Sequence, residues 1–520
     1  MCIVAAFVLV IACVNFMNLA TAQSARRARE VGLRKVVGAT RWQLIQQFFG
    51  ESLIMAFLAL LLAIGLTELI LPVFNDLTQQ TLVLDAEVYW TLLPALIGVM
   101  LFTGLLAGSY PALALSAWQP VDTLKSRDQS GSAWFWKGLV MFQFSISIFL
   151  IIGTLVVRDQ LAYILDRNLG FDSKHLVMMP IFSVSRESNL IAENRLSSRY
   201  RTVKQSLLSH PNVLHASAFR YQPFRDTGGG QYWMVHPEGQ LEDGWRMMVN
   251  EIDDDFFTTM DIELVGGKQF TPGKERSDGD FTSEFMISES AVKAFGWDDP
   301  IGKQLEWVGH GAGTVMGVFR DFHFESLREK IGPLVLVKQT RLYRYLVVKV
   351  REDQFEETLA FLKTQWAKYV PNAPFSYVFM DDFIESAYQN EIRLGKIVGI
   401  SSLLAILVCC LGLFGLAAYS AQRRTKEIGV RKVLGASVGQ VVTMFSTDFV
   451  KLIAVSSFMA WPLAYYVMVN WLADFSYRIS LDIQAFVVSS FLAVGVALIT
   501  VSYQAWKAAQ TDPIVALKYE

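Results

Sequence analysis

Seven stretches of nearly unbroken apolar residues punctuate the chain: Ile3–Ala22, Phe48–Val73, Tyr89–Leu115, Leu139–Val157, Ile397–Tyr419, Val441–Leu472 and Phe486–Tyr503. An α-helix needs ~20 such residues to cross hydrocarbon, and the longest stretches have enough to tilt or run past it. Between the fourth and fifth stretches the pattern changes to short β-branched and aromatic runs separated by turn residues. There Leu176–Ile181, Val213–Phe219, Glu284–Ile287, Val315–Val318, Tyr345–Val350 and Ser376–Phe379 read as strands. Asn189–Leu208, Glu289–Phe295 and Gln354–Tyr369 read as helices, and Asp381–Lys396 reads as a helix continuing into the fifth span. The fold class that follows is a polytopic α-helical membrane protein of seven spans with a mixed α/β extracytoplasmic domain. Its expected divisions are 1–125 (three spans), 126–157 (a linker and the fourth span), 158–392 (the α/β domain) and 393–520 (three more spans).

Charge orients these segments. Arg26, Arg27, Arg29, Arg34, Lys35 and Arg41 follow the first span, and Arg423, Arg424, Lys426, Arg431 and Lys432 follow the fifth. Lys125, Arg127 and Lys137 lie between the third and fourth, and Lys507 and Lys518 follow the last. Seven alternating helices put all of these on one side, which the positive-inside rule makes cytoplasmic, together with the C-terminus. The insert 158–392 then lies outside. It holds 26 Lys and Arg against 34 Asp and Glu, a net of −8, so the overall −2 conceals +6 elsewhere. All six histidines are in this insert and all four cysteines (Cys2, Cys13, Cys409, Cys410) are in spans. The outer domain therefore contains no disulfide, and at 235 residues it has the size to form an ordinary core.

The chain also repeats itself. Glu30–Ala39 reads EVGLRKVVGA and Glu427–Ala436 reads EIGVRKVLGA, identical at seven of ten positions. Four spans separate the copies, so the two units run parallel through the membrane, unlike the inverted repeats common in secondary transporters. Tyr110…Pro120–Lys125 corresponds likewise to Tyr503…Pro513–Lys518. In the second unit a span and the large domain precede the repeated core, whereas nothing precedes it in the first. The expectation is that an N-terminal span and a first outer domain are missing here, with a genuinely asymmetric seven-helix protein as the alternative.

Local chemistry predicts the shape of the repeated segment. Leu33, Val36 and Val37 share one helical face, while Arg27, Arg34 and Arg41 recur every seven residues on another. Glu30 precedes Arg34 by four residues and Glu427 precedes Arg431 likewise, the favourable order for an ion pair. Gly38 and Gly435 then stand where a left-handed C-cap ends a helix. Thr40-x-x-Gln43 and Ser437-x-x-Gln440 follow as capping boxes for the next helix. A topology signal needs only positive charge, so the matched glycines, caps and apolar faces point to a paired docking surface. Glu30, Arg34, Lys35, Gly38, Glu427, Arg431, Lys432 and Gly435 are its candidate residues.

With the first copy, the run Arg423–Ala436 resembles the MacB/FtsX-like permeases, the membrane subunits of mechanotransmitting ABC transporters. Asp512–Lys518 carries the same resemblance, and Gly317–Leu327 (GVFRDFHFESL) is similar to that family's periplasmic core domain. The resemblance implies a bacterial inner-membrane permease whose basic elbows sit on a cytoplasmic ABC ATPase dimer. It implies that this dimer's ATP-driven closure moves the long helices and reshapes the outer domain. Export or extraction of a peptide, lipoprotein or amphiphile is the expected outcome, with a periplasmic adaptor and outer-membrane channel as further partners. Family members that activate a cell-wall hydrolase or a stress-sensing partner provide the alternative, a regulator that transports nothing. The family's duplicated members have eight spans and two outer domains, and its core domain carries an inserted lobe, here expected at Lys303–Val337.

No catalytic or cofactor site is expected in the chain itself. It has no G-x-x-x-x-G-K-[ST] sequence, and Gly266-Gly267-Lys268 lacks the upstream glycine spacing and the following hydroxyl, so ATP is assigned to the partner. Asp321 and His323, or Asp253, Asp254 and Asp255, invite a metal reading. A closed site needs three or four ligands, so turn or surface roles are expected for both groups. Membrane lipid is an expected partner and nucleic acid is not. Glu51 and Asp448 occupy matched positions in their spans, where a carboxylate is costly and is by default a functional candidate. Pairing near the cytoplasmic end, with Lys451 one turn from Asp448, is the expected resolution; proton-coupled antiport is the alternative. Glu68 is expected at the outer interface.

Overall fold

The structure, a computed structural model, describes residues 2–78, 81–117, 130–181, 200–224, 232–238, 244–271, 283–338, 343–369 and 374–510. Pro120–Lys125, Pro513–Lys518 and most of Asn189–Leu208 lie outside these residues. The chain forms two compact units: one of residues 1–159, 391–471 and 480–520, the other of 160–390 and 472–479.

The first unit is helical. It contains α1 (Cys2–Val36), α2 (Arg41–Thr78), α3 (Ala86–Ala117), α4 (Ser130–Leu165), α10 (Gln389–Arg423), α11 (Thr425–Val433), α12 (Val438–Ala473) and α13 (Ile483–Ala509). Among the described residues six helices are long and apolar enough to cross a membrane; the apolar part of α1, Ile3–Leu19, is shorter. The protein is a multi-pass membrane protein. Helix α2 exposes Ile54, Leu62, Leu66 and Leu69, whereas α4 buries Val140, Phe144, Ile148, Leu150, Ile151, Ile152 and Val156. Small hydroxyl and thiol groups hold α4 to its neighbours: Ser147 Oγ lies 2.9 Å from Cys409 Sγ, and Thr154 Oγ1 lies 2.9 Å from Ser402 Oγ. Ser145 Oγ donates to the Ser456 carbonyl at 3.1 Å. Lipid is as apolar as leucine, so such contacts and close packing hold membrane helices together.

The second unit is α/β. In chain order after α4 come β1 (Leu176–Pro180), α5 (Tyr200–Leu207), β2 (Val213–Phe219), β3 (Tyr232–Pro237), β4 (Trp245–Ile252), α6 (Phe256–Met260), β5 (Leu264–Gly267) and β6 (Ser283–Ser288). Then follow α7 (Glu289–Phe295), β7 (Gln304–Trp307), β8 (Gly311–Phe319), β9 (Leu334–Lys338), β10 (Tyr345–Val350), α8 (Phe355–Tyr369), β11 (Val378–Phe379) and α9 (Met380–Ala387). Strands β11, β1, β10 and β2 form an open antiparallel sheet. Its apolar face packs on α5 and α8 through Val177, Met179, Leu346, Val348, Val203, Leu207, Leu362 and Trp366. Strands β4, β3, β7, β8, β6 and β9 pair in sequence, and β9 returns to β4, closing a barrel. Phe285, Ile287, Trp307, Val315, Val335 and Val337 fill it. The pairing of Phe219 with Ile252 joins β2 to β4 and so joins sheet to barrel.

Two expectations change, and the Gly266–Lys268 segment gains a structural frame. The lobe starts at β3 rather than at Lys303, because β3 and β4 supply two of the barrel staves. Gly266-Gly267-Lys268 belongs to β5 and the residue after it, with β5 paired to β8, so its local frame is a strand edge. The helix through Asp381–Lys396 is two helices, broken at Tyr388. Tyr388 is buried and its hydroxyl accepts the Leu327 amide at 2.8 Å. The break falls at a tyrosine, with neither glycine nor proline to mark it in the sequence.

Candidate functional site

Two elbows of matching geometry lie in the helical unit. In the first, α1 ends as the Gly38 amide bonds Lys35 O at 3.1 Å and the Ala39 amide bonds Arg34 O at 2.9 Å. In the second, the Gly435 amide bonds Lys432 O at 3.0 Å and the Ala436 amide bonds Arg431 O at 2.9 Å. Both pairs form a Schellman closure, which requires a left-handed residue, and Gly38 and Gly435 have φ of 106° and 91°. Each next helix opens with a reciprocal cap. The Thr40 amide donates to Gln43 Oε1 at 2.9 Å, and the Gln43 amide donates to Thr40 Oγ1 at 3.4 Å. The Ser437 amide donates to Gln440 Oε1 at 2.9 Å, and the Gln440 amide donates to Ser437 Oγ at 3.3 Å. Backbone groups left over at both helix ends are thus satisfied within about ten residues.

The elbows present both charge and apolar surface. Val36 is 68% and Val37 is 87% exposed, and their counterparts Val433 and Leu434 are 65% and 81% exposed. Ile428 is buried. Arg431 pairs with Glu427 at 2.8 Å and also meets Met444 Sδ. Arg34 donates to Gln47 Oε1 at 2.6 Å, and Gln47 Nε2 donates to Glu51 Oε1 at 3.1 Å. Gln47 and Met444 hold the same place relative to their glycines, a correspondence that aligning the two copies beyond the decapeptide reveals. Lys432 Nζ donates to the Ala509 carbonyl at 2.5 Å, at the end of α13. The side chains of Glu30 and Leu33 lie outside the described ones.

The matched acids resolve differently. Asp448 pairs with Arg424 at 3.2 Å, not with Lys451, because the bend between α10 and α11 brings Arg424 to it. Glu51 is reached through Gln47. Glu68 accepts the Tyr89 hydroxyl at 2.7 Å. An Arg held beside each elbow's acid, directly or through Gln47, removes much of the cost that made them candidates for proton transfer.

In the outer domain the suspected metal residues have other partners. Lys204 Nζ lies 2.5 Å from Asp253 and 2.6 Å from Asp255, and Lys338 Nζ lies 2.5 Å from Asp254. Ser217 Oγ adds a 2.5 Å hydrogen bond to Asp253. Asp321 accepts the Ser290 amide at 2.9 Å and the Ser290 hydroxyl at 2.5 Å in the first turn of α7. His323 faces elsewhere, buried with its ring edge-on to Tyr477 at 4.9 Å. Among the described residues no group of three or more His, Cys, Asp or Glu is placed to hold a metal. The segment Asp321–Leu327 instead joins separate parts of the domain. The His323 amide bonds Leu169 O at 2.8 Å, the Phe324 carbonyl accepts the Phe224 amide at 2.8 Å, and Leu327 bonds Tyr388. Gly170, at φ 84°, admits this close approach, since a Cβ there stands 2.8 Å from Phe322 Cβ.

Comparison with known proteins fits this geometry. The model of the FtsX-like permease C-terminal family matches residues 2–120 and 399–513, the stretches that carry the two elbows. Residues 2–120 and 399–513 are FtsX-like permease segments. The uncharacterized ABC transporter permease YknZ of Bacillus subtilis is 24% identical over 354 residues, covering 63% of this chain and 86% of YknZ. The macrolide export ATP-binding/permease protein MacB of Chromobacterium violaceum is 25% identical over 282 residues, covering 51% of this chain. The permease spans only 42% of that MacB's length. Among solved structures, the periplasmic region of MacB from Actinobacillus actinomycetemcomitans aligns with a TM-score of 0.29 and 12% identity, over 43% of this chain and 96% of that one.

Proposed function

We propose that this permease is the membrane subunit of a MacB-type mechanotransmitting ABC transporter, with seven spans in two parallel FtsX-like units. Each elbow docks on one subunit of a separate cytoplasmic ABC ATPase dimer, and ATP-driven closure of that dimer moves the long helices and reshapes the outer domain. The work done outside is export or extraction of a peptide, lipoprotein or amphiphile. The observation that carries this reading is the pair of elbows, alike in cap, glycine closure, basic flank and exposed apolar tip. Two like surfaces suit two like partners, and Val36, Val37, Val433 and Leu434 are apolar groups that such partners would remove from water. Arg34, Lys35, Arg431 and Lys432 supply the charge that sets register on the ATPase surface, with Gln47 orienting Arg34 and Glu427 orienting Arg431.

The test is co-purification. Arg34→Glu combined with Arg431→Glu abolishes recovery of the co-expressed ATPase while membrane insertion stays normal. Undiminished recovery with the double variant refutes the docking assignment.

A further inference from the structure

Residues Leu472–Ile479 join α12 to α13, yet they fold with the outer domain. Their attachment there is built from several independent contacts. Gln160, in the last turns of α4, is 1% exposed and uses both ends of its amide on this loop. Its Nε2 donates to the Tyr477 carbonyl at 2.9 Å, and its Oε1 accepts the Ile479 amide at 2.9 Å. A side-chain amide offers the same donor and acceptor as a peptide, so Gln160 pairs with residues either side of Arg478 as a parallel strand does. Arg167 stacks over the Tyr477 ring at 4.1 Å, held in turn by the Tyr163 hydroxyl. His323 meets the same ring edge-on, and the Ile331 amide reaches its hydroxyl at 3.5 Å. One turn earlier, Phe475 is 2% exposed beneath Arg328 at 5.3 Å, and the Ser476 amide bonds the Arg328 carbonyl at 2.9 Å.

We propose that this loop is a clasp, an attachment of the outer domain to the membrane helices additional to α4 and α10, with Gln160 and the His323–Arg328 segment as its receptor. Helices α4 and α10 each enter the outer domain once, so between them they pass two points of movement. The loop adds a third covalent crossing between the two units, continuous with α12 and α13. The docking stands on the contacts alone; the transmission of movement rests on the function proposed above. His323, Gln160 and Tyr477 act here as positioning residues.

Amide hydrogen exchange on the full-length permease in lipid nanodiscs reads the clasp directly, because the Ser476 and Ile479 amides are its hydrogen bonds. In the wild type both exchange roughly 100-fold or more slower than in free peptide. Gln160→Leu and Tyr477→Ala each accelerate both by at least about tenfold, while the amides of β10 keep their protection and report an intact domain. Free-peptide rates in the wild type, or unchanged rates in both variants, overturn the docking. The second arm adds the co-expressed ATPase and ATP. Exchange in the barrel strands responds to ATP in the wild type and stops responding in Gln160→Leu, although the ATPase still co-purifies. A response that persists in that variant overturns transmission through the loop. Failure of the wild type to retain any ATPase overturns the transport reading instead, and the first arm then decides the docking by itself.

Discussion

Acid releases the loop Leu472–Ile479 through His323. Burial, aided by the nearby Arg167 charge, lowers the His323 pKa from 6.5 to about 4. Its described contacts supply no anion: Tyr477 presents ring carbons, Arg167 is a cation, and the carboxylate of Asp321 is taken by Ser290. A base whose pKa is lowered by docking contributes fully above its free value. That contribution is lost as pH falls from 6.5 towards about 4, because the undocked form takes up the proton first. The full difference sets an upper bound of about 3 kcal/mol, and at pH 5 the weakening is at most about 30-fold, because burial by the rest of the domain and Arg167 account for part of the shift. The assay is the protection of the Ser476 and Ile479 amides relative to the intrinsic exchange rate at each pH, in the full-length chain. His323→Gln, which cannot be protonated, flattens the profile between pH 7 and pH 5. Equal protection at both pH values in the wild type, or the same loss in His323→Gln, refutes the argument.

Two further outcomes follow from the buried charges and the caps. Lys204→Met leaves Asp253 buried without its cation and destabilises the outer domain by about 3–5 kcal/mol, whereas Lys204→Met with Asp253→Leu recovers most of it; equal losses in denaturant midpoint for single and double variants contradict this. Thr40→Ala and Ser437→Ala each remove one reciprocal cap and cost about 1 kcal/mol, read as faster exchange confined to the first turns of α2 and α12. Loss of protection spreading through the whole of either helix rules out a local cap.

Much of the elbow was legible because its determinants are local. A glycine after a basic helix, then Thr or Ser three residues before Gln, specifies closure and restart without help from the rest of the chain, and both copies fold that way. The strands β2 and β10 and the helix α7 have the bounds the sequence predicts, since each carries a strong apolar pattern between turn residues. Strands β3, β4, β7 and β9 escaped prediction. Their stability comes from closing the barrel, with Trp307 and Val335 buried by partners distant in sequence.

The sequence by itself determined six of the segments apolar enough for membrane, the separation of charge between insert and remainder, and the conformation of the two basic turns. Each of these depends on residues within one helix length. Tertiary structure alone decided that Arg424 serves Asp448, that each aspartate of the triplet finds a lysine, and that the helix leaving the outer domain breaks at Tyr388. It also decided that Leu472–Ile479 belongs to the outer domain. Those outcomes depend on groups up to 319 residues apart, as Gln160 and Ile479 are, meeting within hydrogen-bond distance. Periodicity and spacing carry no record of such meetings, because only the folded chain brings the partners together.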